Sequence, residues 1–120
     1  MTETGIDNSI LDGLNTLDRA GLMRRMIDEL PEISKKMGTT AGAVASRAGI
    51  DEGRFKLLRT GKRSMDWSEY MSLLFVLWSD RRSHDIIEER GFFPDALKSA
   101  MSINRNMHGE KWRYETQEET

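Results

Sequence analysis

Apolar residues recur along most of this chain at spacings of three and four, the period of one helix face. Leu22, Met23, Met26, Ile27 and Leu30 form one such stripe, with Asp18 placed to cap its start. Pro31 has no backbone N–H and disfavours helical geometry at Leu30, so the pattern predicts a stop or kink there. A second helical piece then continues through Ile33 and Met37 to Gly38. Upstream, Asn8 or Ser9 can cap a short helix carrying Ile10, Leu11, Leu14 and Leu17, weakened by Gly13. Residues 1–7 are polar and expected to fray.

Two short helices are predicted next. Thr40 caps the first, Val44 and Ala45 lie within it, and Gly49 stops it because a helix C-terminus commonly needs a left-handed residue there. Ile50 follows as an apolar plug. Asp51 caps a second helix over 52–59, which Gly61 ends. Phe55 and Leu58 share one face of it. Glu52, Gly53, Lys56 and Leu57 share another, with Arg54 beside them. After the loop Lys62-Arg63-Ser64, Asp66 caps a helix to about Trp78 that is apolar around most of its second half, and so is buried on more than one side. Ser79 or Asp80 can cap a further helix holding Ile86 and Ile87 and ending at Gly91. Phe92-Phe93 forms an apolar hinge. Pro94 and Asp95 then open a last helix whose stripe is Ala96, Leu97, Ala100, Met101, Ile103 and Asn104. Residues 108–120 read as a mobile polar tail with Trp112 and Tyr114 isolated in it. With two prolines and few β-branched alternations, the fold class is all-α.

Length and charge refine this reading. The 120 residues suit one domain with a modest core. No apolar run is long enough to span a membrane, and no signal peptide is visible. The absence of cysteine excludes disulfides and thiolate metal sites and fits a cytoplasmic protein. Net charge is −2, but it is unevenly spread. Lys35, Lys36, Arg47, Arg54, Lys56, Arg59, Lys62 and Arg63 face only Asp51 and Glu52 in the same stretch. The segment 35–63 therefore carries +6 and the rest of the chain −8. A basic patch on an acidic body is what local phosphate binding needs.

Catalytic chemistry finds little support. His84 and His108 are far apart, lie in polar surroundings and fit no metal-ligand spacing; His84 is expected on a solvated helix surface. Gly61-Lys62 is not a phosphate-cradling loop, because Lys56 stands where its upstream glycine would be. The neighbouring acids Asp28-Glu29 and Glu88-Glu89 diverge on their helices and read as solvated faces. The methionines read as adaptable core filler.

The stretch from Thr40 to Thr60 resembles the helix-turn-helix of the Cro/repressor (xenobiotic-response-element-like) family. The matching residues are Thr40, Val44-Ala45, Gly49-Ile50, Asp51, Phe55, Leu58 and Gly61-Lys62-Arg63, and the likeness runs through 66–77. It covers roughly residues 32–77. Ala41 departs from the family, which often has a phosphate-binding Gln there. Arg59 departs too, where the family often has Glu. The resemblance implies residues 1–18 as an N-terminal extension, 19–78 as a helix-turn-helix DNA-binding domain and 79–107 as a C-terminal helical extension that can dimerise. The implied partners are double-stranded DNA and a second copy of the chain, with no cofactor or metal and no enzymatic activity. Glu52, Gly53, Arg54, Lys56 and Leu57 would face base edges, and Thr40, Thr60, Lys62 and Arg63 the phosphates. Because the sign at Arg59 is reversed, an ion pair with Glu32 is expected to lock the reading helix in place. The runner-up is a protein-interaction module on the same fold that does not bind DNA. A third reading is a sensor with a small ligand in a Met-rich pocket.

Overall fold

The computed structural model describes residues 17–104, with side chains as far as Met101. Within them the protein is all-α. Six helices and no strand are present: α1 (Arg19–Lys36), α2 (Ala41–Arg47), α3 (Glu52–Arg59), α4 (Trp67–Ser79), α5 (His84–Glu89) and α6 (Asp95–Asn104). The short helix expected over residues 8–17 and the polar tail lie outside the described residues. No described helix is long and apolar enough to cross a membrane.

Local chemistry starts most of these helices. Asp18, Thr40, Asp51 and Asp66 each accept a hydrogen bond from the backbone N–H three residues on, satisfying a donor that the first helical turn leaves unpaired. At Asp66 the cap is reciprocal, because Glu69 also accepts from the Asp66 N–H at 2.9 Å. Between α2 and α3 the chain turns at Gly49, whose φ of 85° explains the glycine. Ile50 N–H reaches back to the Ala45 carbonyl and Gly49 N–H to that of Ser46, at 2.9 and 3.0 Å. This closure drives Ile50 into the core.

α1 corrects the expectation of two pieces: it runs unbroken through Pro31. A proline inside a helix costs about 3 kcal/mol. Leu30 and Ile33 on either side of it are fully buried, and each gains roughly 1.5–3 kcal/mol from that burial. Packing therefore exceeds the local penalty, and Pro31 itself lies exposed. Leu22, Met26, Leu30, Ile33 and Met37 form the α1 side of the core, against Val44, Ala45, Phe55, Leu58, Tyr70, Leu73, Leu74 and Leu77.

Residues Asp18–Phe93 make one compact unit, so α5 belongs with α1–α4. Several contacts hold it there. The Tyr70 hydroxyl donates to the Phe92 carbonyl, and burial of that phenol pushes its pKa up. Arg25 lies over the Phe92 ring and donates to the Arg90 carbonyl at 2.7 Å. Arg82 donates to the Met37 carbonyl, also at 2.7 Å. α5 begins at His84, later than the expected cap at Ser79 or Asp80, because the buried Ser83 hydroxyl donates to the Leu77 carbonyl and forms no helix cap. His84 is not simply solvated: its Nδ1 lies 2.7 Å from the Trp78 carbonyl and its ring packs on Trp78. α6 belongs to a second unit. On it Leu97 is buried and Met101 is 52% exposed.

Candidate nucleic-acid interface

α3 is held by its inner face. Phe55 and Leu58 are buried, so the helical period turns Glu52, Gly53, Lys56 and Leu57 outward. All four are exposed, as are Arg59 and Thr60, and the exposed surface continues through Lys62, Arg63 and Ser64. Gly53 is open enough that an added methyl would meet only Asp51 Oδ1, at 3.5 Å. Its lack of a side chain is not demanded by the fold. Thr40 uses its oxygen to accept from Ala43 N–H, which leaves the hydroxyl proton available to a ligand.

Three expected roles change. Arg54 does not join the outward face. Its Nε and Nη2 reach the two carboxylate oxygens of Glu69 at 2.7 and 2.8 Å, and Nη2 also donates to the Ser64 carbonyl at 3.0 Å. A bidentate guanidinium–carboxylate pair fixes both distance and angle, so Arg54 clamps α3 to the start of α4. Glu69 is held below the usual carboxylate range chiefly by the hydrogen bond from Arg54, and Arg54 is raised by the same bond.

The second change concerns Arg59 and Glu32, which do not pair. Glu32 is engaged by Arg90 at 2.8 Å and by Lys36 at 3.7 Å, and the Arg90 hydrogen bond lowers its pKa. Arg59 is exposed and has no carboxylate within ion-pair distance among the described residues. It sits on the rim of an open cleft of about 360 Å³ between α1 and the end of α3, near Arg24, Asp28 and Arg63. The lock expected of that pair is made elsewhere, by Arg54–Glu69 for α3 and by Arg90 with Glu29 and Glu32 for α1.

The third is Thr60. Its hydroxyl and its N–H both donate to the Lys56 carbonyl, at 2.9 and 3.0 Å. No donor is left for a phosphate.

The local charge is trimmed accordingly. Of the eight bases in segment 35–63, Lys36, Arg47 and Arg54 are paired with Glu32, Asp80 and Glu69, which all lie outside it. Lys35, Lys56, Arg59, Lys62 and Arg63 have no ion pair among the described residues and are exposed. Four of these five lie on or just after α3. Glu69 was legible in principle, since Asp66 and Glu69 stand at the spacing of a reciprocal cap. Nothing local pointed to Arg90. No family model matches the chain, and neither the curated proteins nor the solved structures hold a match. The resemblance to the Cro/repressor-type family rests on the residues quoted above.

Proposed function

We propose that this protein is a sequence-specific DNA-binding transcriptional regulator of the cytoplasm, with α3 as the helix that enters the major groove. The observation that carries the reading is the cationic surface of Lys56, Arg59, Lys62 and Arg63 on one short exposed stretch, with no ion pair among the described residues. Cations that form no ion pair within the described residues can displace counterions from a phosphate backbone at no cost in broken ion pairs. Lys56 donates to guanine O6 or N7, Glu52 accepts from cytosine N4, and Leu57 touches a thymine methyl. Gly53 lets the backbone approach. Lys62, Arg63, Arg59 and the Thr40 hydroxyl position the phosphates. Arg54 acts only through the clamp that aims α3. The runner-up, a protein-interaction module without DNA binding, draws on Leu57, an apolar side chain 37% exposed in the middle of the same face.

Fluorescence anisotropy with random duplex DNA over a range of salt separates the two. The expected result is a steep loss of affinity with salt, and Lys62→Ala should flatten the log–log slope by about one unit. Absence of salt-dependent duplex binding would overturn the DNA reading in favour of the protein partner.

A further inference from the structure

α1 buries Leu22, Met26, Leu30 and Ile33, yet a second stripe on it stays partly open. Ala20, Met23, Arg24, Ile27 and Asp28 stand at helical spacing, and all five line the cleft between α1 and the end of α3. Met23 and Ile27 are half-buried, and the buried Leu58 and Met65 complete an apolar floor. Around that floor stand three arginines: Arg24 from α1, Arg59 from the end of α3 and Arg63 from the loop that follows. All three are exposed, and none has an ion pair among the described residues. Asp28 is the one acid of the lining among the described residues, so the cleft carries a surplus of two positive charges, three arginines less one aspartate.

The wall opposite α1 is already in place. The Arg63 N–H donates to the Leu57 carbonyl at 3.1 Å, and Arg54, through its clamp, donates to the Ser64 carbonyl at 3.0 Å. Gly61 turns the chain between them with a φ of 81°. A ligand therefore does not have to order this loop on binding. The volume of about 360 Å³ falls within the roughly 300–1,000 Å³ of small-molecule sites.

The lining narrows the ligand. A purely apolar molecule would leave the guanidiniums without an anion. A bare phosphate would answer the charge and leave the apolar floor wet. A surplus of two charges suits a mono- or dianion and not a polyphosphate. Guanidinium forks match carboxylate geometry. We propose that this cleft binds a small organic carboxylate with a compact apolar body, its carboxylate held by the arginines and its body laid on Met23, Ile27, Leu58 and Met65. The site does not rest on DNA binding. It shares Arg59 and Arg63 with the residues proposed to position phosphates, so ligand and duplex would compete; that consequence alone rests on the DNA reading.

Titration of the full chain with 2-naphthoate in the absence of DNA tests the site, read by nuclear magnetic resonance of the methionine methyl groups. The ring current of bound naphthoate should shift the Met23 and Met65 signals and leave in place those of Met37 and Met71, which do not line the cleft. The expected dissociation constant is on the order of 1 mM or below. Arg24→Gln should weaken binding about tenfold, with an unchanged thermal melt because Arg24 is exposed. Inorganic phosphate and the neutral 2-naphthalenemethanol should each bind far more weakly, since each meets half of the site. No shift at Met23 and Met65, equal affinity for the neutral alcohol or for phosphate, or an affinity unchanged by Arg24→Gln would overturn the proposal. Any of these would leave the salt-dependent duplex binding untouched, and a failure to bind duplex would leave the cleft untouched.

Discussion

Arg54 and Lys56 are two residues apart on α3 and do different work. Lys56 is exposed, whereas Arg54 is 30% and Glu69 17% exposed in the side chain, and their pairing is bidentate. Glu69 accepts from Arg54 twice and from the Asp66 N–H. Glu69→Ala should therefore lose about 1–3 kcal/mol of stability, read by chemical denaturation. Arg54→Ala and Arg54→Lys should both lower the melting temperature, since a lysine cannot span both carboxylate oxygens. The Arg54→Ala, Glu69→Ala double variant should lose less than the sum of the two. Lys56→Ala should leave the melt alone and cost about 1–3 kcal/mol of affinity for the preferred duplex. A melt insensitive to Arg54→Ala would remove the clamp.

At the scale of the element, α1 shows packing overruling propensity. Its proline removes the N–H that the Ile27 carbonyl would accept, yet the helix continues because its buried stripe extends beyond the break. Pro31→Ala restores that hydrogen bond and lifts the steric penalty, while the more flexible unfolded chain takes back about 0.4–1 kcal/mol. The net expectation is a gain of about 2 kcal/mol in denaturant unfolding. A loss would mean that the proline sets a bend on which the core depends. The turn between α2 and α3 is the opposite case, in which glycine geometry and the buried Ile50 agree with the local signal.

Across the whole molecule, carboxylates hold helix ends together. Asp80 is depressed well below its ordinary value, chiefly by hydrogen bonding from Arg82, with Arg47 adding to it. Glu69 is lowered by Arg54 and Glu32 by Arg90. A folded-state pKa below the unfolded one gives stability that is present above the unfolded value and lost as pH falls through the folded one. Stability should thus be nearly flat between about pH 6 and 8 and fall as pH drops below the ordinary values of 4.5 for Glu and 3.8 for Asp. Glu32 is 55% exposed and contributes little to this; Asp80 and Glu69, at 11% and 17%, dominate. Asp80→Asn should lower stability at neutral pH and flatten the acid limb of the curve. An acid limb unchanged by that substitution would show that Asp80 is not linked to folding.

The sequence by itself determined where most helices start and stop, which residues face the core and that the protein is all-α. Those features depend on neighbours within one turn: a cap three residues from its donor, a stripe repeating at three and four, a glycine where φ must be positive. It also made the outward face of α3 legible, because Phe55 and Leu58 fix the rotation of that helix. Only the tertiary structure decided which charges are used up. Arg54 meets Glu69 across 15 positions and Arg90 meets Glu32 across 58. The pairing of Arg59 with Glu32, reasoned from charge sign and place in the sequence, had no spatial information behind it. A charged side chain takes as partner whatever the folded chain brings within about 4 Å, and no local spacing encodes that meeting. The continuity of α1 through Pro31 has the same cause, since its stabilising contacts come from other helices.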